Sequence, residues 1–309
     1  MTLSSRQRGC ILGLACGDAV GTTVEFCARG TFPPMTDMIG GGPFKLPVGA
    51  WTDDTSMALC LGTSLADLGG FDAADQMRRY CDWYENGYLS STGRCFDIGL
   101  TVRGALLRFQ QNGNPFAGNP DPQSSGNGCI MRLAPVPMYF HPNVEQAVHM
   151  AGESSRTTHG SPESIESSQL LAAMICAGLN GQSKGEVLFG HDPYQFLTPN
   201  VRGIALGEYR AKAEGGLSGS GYVIHCLEAA AWCFWQTGSF RDAVLRAVNL
   251  GDDADTTGAV CGQLAGAFYG EEGIPPEWLA RVVMREEITV LADRLAGPKA
   301  STRVPDGDS

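Results

Sequence analysis

Apolar residues recur along most of this chain at intervals of three and four, the spacing that gathers them on one face of an α-helix. Met57, Leu61, Leu65 and Leu68 follow it, as do Ile98, Val102, Leu106 and Phe109, so both segments are predicted to be amphipathic helices. Ser161-Pro162-Glu163 offers an N-cap oxygen, a proline at the first helical position and an acid in the first turn, which predicts a helix running to about 180. Further helices are expected over 5–20, 72–86, 143–157, 223–237, 240–249, 256–269 and 276–296. The period-two alternation that marks strands is essentially missing. The expected fold class is therefore all-α, a compact multi-helix domain over 1–296, followed by a small, polar, proline-containing tail over 297–309 predicted to be flexible.

Three stretches, 27–52, 111–127 and 181–221, are rich in Gly, Pro, Asn and Ser and read as long irregular connections. Loops of that length inside a compact domain are usually functional or disordered. Glycine is also abundant in the helices, at 41 of 309 residues overall, roughly twice the usual ~7 %. Gly258, Gly262, Gly266 and Gly270 fall every four residues, and Gly13, Gly17 and Gly21 do likewise. Each set is expected to line a helix face that a neighbouring backbone can approach closely.

Charge narrows the partners. With 22 Lys+Arg against 33 Asp+Glu the net charge is −11 and the pI near 4.9, so nucleic acid is not an expected partner. Hydrophobic residues at 43 % and charged ones at 18 % describe a soluble globular chain. No stretch reaches the roughly 18 uninterrupted apolar residues of a membrane span, and Gly13, Gly17 and Asp18 interrupt the N-terminal apolar run. The 11 cysteines are odd in number, show no CxxC spacing and lie largely within apolar helical patterns. They read as reduced, buried thiols of a cytoplasmic protein.

Two acidic clusters could carry chemistry. Trp51-Thr52-Asp53-Asp54-Thr55 precedes one apolar helix, and Gly251-Asp252-Asp253-Ala254-Asp255-Thr256-Thr257-Gly258 precedes the glycine-striped one. Helix capping explains one acid at a first turn. Three aspartates within four residues repel one another, which argues for a compensating cation. Oxygen ligands suit Mg²⁺, Mn²⁺ or Ca²⁺, whereas the five histidines show no zinc-type spacing. Capping and metal binding both remain open on these residues alone. Asp253 and Thr256, three apart, share a helix face, so the second cluster belongs at a helix start.

Six segments, in order, resemble the ADP-ribosylglycohydrolases, a family that includes the bacterial hydrolase acting on dinitrogenase reductase and the vertebrate ADP-ribosylhydrolases. They are LGLACGDAVGTTVEF (12–26), WTDDTSMAL (51–59), GNGCIMRLAP (126–135), THGSPESIESSQLL (158–171), GYVIHCLEAAAWCF (221–234) and NLGDDADTTGAVCGQLAGAFYG (249–270). The resemblance covers about 8–270. It implies an all-α fold holding two adjacent Mg²⁺ or Mn²⁺ ions on Thr52, Asp53, Asp54, Asp253, Asp255 and Thr256, with no ligand role for Asp252.

The same resemblance puts Glu25 near the scissile ribose and Asp97 near the substrate linkage as catalytic acids. Taken alone, Glu25 reads as a solvated loop residue, and Asp97 as the N-cap of the helix beginning at Ile98. Gly126, Asn127 and Gly128, at a predicted helix start, could turn N–H groups to an anion such as a pyrophosphate, although such a triplet is commonly just a turn. His159 reads as a C-cap or polar core residue; the resemblance adds a ribose or phosphate contact. Tyr222 matches an aromatic expected to stack on adenine.

The implied activity is hydrolysis of the N-glycosidic bond between ADP-ribose and a modified arginine, with an ADP-ribosylated protein as partner, dinitrogenase reductase being one candidate. Serine O-glycosides or O-acetyl-ADP-ribose are alternative substrates. A non-catalytic ADP-ribose-binding relative is the alternative of a different kind, disfavoured by the complete ligand set.

Overall fold

A computed structural model describes residues 1–297. The chain is all-α, as expected. Helices α1 (Leu3–Gly21), α2 (Asp53–Leu68), α3 (Ala73–Asn86) and α4 (Leu100–Asn112) form the first part. A short α5 (Pro135–Phe140) leads into α6 (Val144–Arg156) and α7 (Pro162–Leu179). Then come α8 (Lys184–Phe189), α9 (Pro199–Ala205), α10 (Val223–Gln236), α11 (Phe240–Val248), α12 (Ala254–Tyr269), α13 (Pro276–Arg281) and α14 (Arg285–Ala296). Among the described residues, extended pairing is limited to isolated bridges such as Gly41 with Leu46 and Gly126 with Tyr222.

Helices α1 and α12 are buried almost all round, from Gly9 to Gly21 and from Ala254 to Ala267, which makes them the central pair. Their mutual contact is the most extensive between any two helices. Glycine allows it. Gly9, Gly13 and Gly17 face Gly266, Gly262 and Gly258 in antiparallel order, and a Cβ on Gly258 would stand 2.6 Å from the Gly17 carbonyl oxygen. Gly21 extends the seam to Ala254 and Asp255, so the end of α1 lies against the start of α12. The two predicted glycine stripes are thus each other's partner, with Gly9 an additional member. Gly270 touches Gly9 from its place as the residue that ends α12.

Three expectations change. The single helix expected over 276–296 is two, because Val283 is tied elsewhere: its N–H donates to the Gly49 carbonyl at 3.0 Å and its carbonyl accepts from Trp51 Nε1 at 3.0 Å. Met284 then turns into the left-handed region at φ 57°. The irregular stretch 181–221 holds α8 and α9. The helix expected from Ile98 starts at Leu100, with Gly99 as its N-cap. From residue 298 onward the expected tail lies outside the described residues. All 11 cysteines are free, and eight of them are buried.

Introducing a methyl group into the glycine seam separates the two central helices. The substitution Gly17→Ala is expected to lower the unfolding free energy by about 2–3 kcal/mol. Gly104→Ala, on a half-buried flank of α4 with only the flexible end of the Arg108 side chain nearby, is expected to raise it by about 0.5–1 kcal/mol. Urea denaturation of the two variants checks both signs, and a neutral Gly17→Ala would contradict the close approach.

Candidate active site

The glycine seam delivers the start of α12 to the end of α1, and the start of α2 meets them there. Asp18, on α1 and fully buried, reaches across to α2. It accepts from the backbone N–H groups of Thr52 (2.9 Å) and Thr55 (3.1 Å) and from both hydroxyls, at 3.0 and 2.6 Å. Asp18 therefore caps α2 from another helix. Neither Thr52 nor Asp253 spends its own side chain on its helix's N–H groups. The capping explanation for the two acidic clusters is thereby corrected.

The clusters interlock instead. Thr52 Oγ1, whose single proton goes to Asp18, lies 3.2 Å from Asp255 Oδ2, and Thr256 Oγ1 donates to Asp54 Oδ1 at 3.2 Å. Asp53, Asp54, Asp255, Thr52 and Thr256 are all buried. Asp253 is partly exposed and accepts from Asn127 Nδ2 at 2.8 Å. Glu25, expected to be solvated if it had no role, is 3 % exposed. Carboxylate oxygens of Glu25, Asp97 and Asp255 lie within 4.8 Å of one another. Asp97 sits at φ 54°, outside α4, so it does not cap that helix.

Burial pushes the carboxyls of Asp53, Asp54 and Asp255 well up from the ordinary carboxylate range, and their mutual repulsion adds to it. Glu25 is driven up for the same reasons, first by burial and then by Asp255. Asp97 is pushed up to about 6, chiefly by burial. Asp18 also reaches about 6 by burial, held back by its four hydrogen bonds. One buried oxygen each of Glu25, Asp54 and Asp255 has no hydrogen-bond partner. Such a set of acceptor-only oxygens, clustered and facing no protein cation, fits hard divalent ions.

Above this cluster opens a cavity of about 260 Å³, lined among others by Glu25, Asp53, Asp97, Gly126, Asn127, Gly128, His159, Asp253 and Thr256. Most of the expected site residues therefore meet in one place. The Gly126–Gly128 segment is a 3₁₀ turn rather than a helix start. Two of its N–H groups are already used, Gly126 toward the Ser124 carbonyl (2.9 Å) and Asn127 toward that of Gly221 (3.0 Å), which corrects the expected anion cradle. Its glycines make room for His159: a Cβ at Gly128 would stand 2.8 Å from His159 Cε1.

His159 is buried, with its Nδ1 2.8 Å from Thr158 Oγ1. Arg132, itself fully buried, donates to Thr158 Oγ1 at 2.6 Å and to the Gly128 carbonyl at 2.8 Å. Arginine only donates, so Thr158 Oγ1 accepts from Arg132, and its contact with Nδ1 ties the His159 ring to that buried pair at the cavity wall. Burial, with the Arg132 charge beside it, lowers the His159 pKa to about 3 and keeps it neutral. Tyr222 stands apart from the main cavity. Its hydroxyl donates to Glu163 Oε2 at 2.6 Å, and its ring lines a neighbouring groove that shares Thr101, Gly126 and Gly221 with that cavity.

The sequence reading missed Asp18, Arg132 and Thr158. Asp18 carried a signal, as the sole charged residue between Arg8 and Glu25 in an otherwise apolar run.

Fold and site together define an all-α hydrolase built around a buried acidic centre. The chain belongs to the ADP-ribosylglycohydrolase family, whose model matches residues 1–304. It is 44 % identical over 290 residues to the ADP-ribosylarginine hydrolase Tri1 of Pseudomonas putida (strain GB-1), covering 94 % of this chain and 77 % of that one. It is 32 % identical over 292 residues to the ADP-ribosyl-[dinitrogen reductase] glycohydrolase of Rhodospirillum rubrum, covering 93 % of each. A solved structure titled ADP-ribosylglycohydrolase-related protein complex superposes with a TM-score of 0.83 at 42 % identity, over 95 % of this chain and 98 % of that one. No helix among the described residues is long and apolar enough to cross a membrane.

The raised carboxyls have a stability consequence. The folded state holds protons that the unfolded chain releases above about pH 4. Without metal, the contribution of these groups to stability is therefore greatest in acid and falls as pH rises toward and past neutrality. Asp255→Asn removes one of these groups and is expected to raise the Tm of EDTA-treated protein at pH 8 more than at pH 5; Mn²⁺ is expected to raise the Tm of the wild type and not that of the variant. Thermal unfolding reads both; a manganese shift retained in the variant would contradict the ligand role.

Proposed function

We propose that this chain hydrolyses the N-glycosidic bond joining ADP-ribose to arginine side chains of modified proteins, using two Mg²⁺ or Mn²⁺ ions. The reciprocal pair of threonine-to-aspartate contacts, Thr52 to Asp255 and Thr256 to Asp54, is the observation that carries this reading, because it brings both acidic motifs to one point. The arginine linkage draws support from the relatives named as ADP-ribosylarginine hydrolase and dinitrogen reductase glycohydrolase. Thr52, Asp53, Asp54, Asp253, Asp255 and Thr256 would hold the ions, and residues 1–296 act as one catalytic domain. Free, mostly buried cysteines fit work in the cytoplasm.

Hydrolysis places a water oxygen on the anomeric carbon, breaks the bond from that carbon to the guanidino nitrogen, and moves one proton from the water to the leaving arginine. Bound divalent ions supply charge neutralisation and an acidified water in such a centre. Positive charge grows on the sugar as the bond breaks. The carboxylates of Glu25 and Asp97, on the cavity wall, stabilise that charge, and either lies where it can carry the proton. Asn127 holds Asp253 in place. The Gly126–Gly128 turn allows close approach of ribose hydroxyls or phosphate oxygens, and the neutral His159 lines the cavity beside it.

Incubation with arginine-linked and serine-linked ADP-ribosyl peptides, followed by measurement of free ADP-ribose, tests the reading. Release from the arginine-linked peptide, abolished by EDTA and restored by Mg²⁺ or Mn²⁺, is expected, and Asp255→Asn should remove nearly all of it. Release from the serine-linked peptide alone would overturn the linkage assignment. Activity of Asp255→Asn within a few-fold of wild type would overturn the metal assignment.

A further inference from the structure

Each of the two catalytic acids has a phenylalanine beside it in the chain, and a third phenylalanine joins these two in space. The Phe26 ring meets Phe44 edge to face at 6.2 Å, and Phe44 meets Phe96 at 5.2 Å. The three rings link the loop after α1, the turn between Gly41 and Leu46, and the loop before α4. Phe26 lines the active-site cavity yet is 68 % exposed, and Leu100 on the same cavity is 85 % exposed. Large apolar side chains held open at a cavity mouth invite a ligand to cover them.

Backbone strain gathers at the same place. Among the described residues, six other than glycine have left-handed φ values, and four of them bear on this rim: Phe26 (62°), Lys45 (54°), Asp97 (54°) and Asp252 (59°). Each ring thus belongs to, or directly neighbours, a residue in a conformation costing about 1 kcal/mol or more. The surroundings enforce it. Phe26 N–H donates to the Asp252 carbonyl at 2.7 Å, and Asp252 N–H donates back to that of Cys27 at 2.8 Å. This also gives Asp252 a role, through its backbone, in fixing the rim.

Charge decides which end of the substrate lies here. The groove toward Tyr222 leaves the cavity at Thr101, Gly126 and Gly221 and does not include Phe26. Phosphates avoid Glu25 and Asp97 and are better served on the side of the glycine turn and the neutral His159, away from those acids. A guanidinium is attracted both by the carboxylates and by the negative faces of aromatic rings.

We propose that Phe26, Phe44 and Phe96 form the leaving-group subsite, a rim that receives the guanidinium and adjoining main chain of the modified arginine, with Phe26 against the cation. This rests on the arginine reading above. Steady-state hydrolysis of an arginine-linked ADP-ribosyl peptide by the metal-loaded enzyme, together with calorimetric binding of free ADP-ribose, provides the test. Phe26→Ala is expected to raise KM by about five- to thirtyfold, with ADP-ribose affinity within twofold of wild type, which also reports an intact fold. Phe26→Trp is expected to restore KM, and Phe26→Leu, apolar without a ring, is not.

Unchanged KM in Phe26→Ala, a parallel loss of ADP-ribose affinity, or full rescue by leucine would each overturn the subsite while leaving the arginine reading intact. A wild-type enzyme that releases nothing from the arginine-linked peptide would overturn the reading itself, and the subsite with it.

Discussion

Five carboxylates, those of Asp18, Glu25, Asp53, Asp54 and Asp255, are buried around one point with no lysine or arginine in an ion pair with any of them among the described residues. Burying unpaired charge costs several kcal/mol per group, so a fold that does this must neutralise the charges by protons or by a bound cation. Asp18 alone is satisfied by its neighbours, through four hydrogen bonds to α2. Glu25, Asp54 and Asp255 each keep an unpartnered oxygen, and Asp54 and Asp255 also lie against a threonine from the facing motif. The arrangement is poor for stability and well suited to divalent cations, the usual trade at a functional site.

The glycine seam makes this concentration geometrically possible. Because α1 and α12 touch backbone to backbone from Gly9 to Gly21, the acidic start of α12 arrives beside Asp18 and the Glu25 loop with no intervening side chain layer. Trp51 anchors the other motif by donating from Nε1 to the Val283 carbonyl, the contact that also interrupts the C-terminal helix. The break at Met284 and the placement of Asp53 and Asp54 are thus two results of one constraint. At the mouth, the carboxylates select a cation and the rings of Phe26, Phe44 and Phe96 add a matching surface.

Features that depend on local spacing were legible in the sequence, and features that depend on a partner from elsewhere in the chain were not. Apolar periodicity and the Ser161-Pro162 start located the long helices, and fourfold glycine spacing announced a close packing face without revealing that the two faces meet. The break before α14 was hidden, since Val282, Val283 and Met284 are ordinary helix residues and the tie to Gly49 is remote. Asp97 looked like a cap because the Ile98 spacing continues to its edge, yet the helix begins at Leu100. Asp18 caps α2 across 34 positions of sequence, a relation no local rule contains. The motifs of the acidic centre were legible as chemistry, while the Arg132, Thr158 and His159 chain became visible only from the fold.

Diffraction at the manganese absorption edge, from crystals grown in saturating Mn²⁺, tests the central claim most directly. Two adjacent anomalous peaks against the carboxylates of Asp53, Asp54 and Asp255 are predicted, with the two acidic motifs still joined through Thr52 and Thr256. Carboxylates that stay together with no anomalous density between them, or motifs that move apart, would contradict the account.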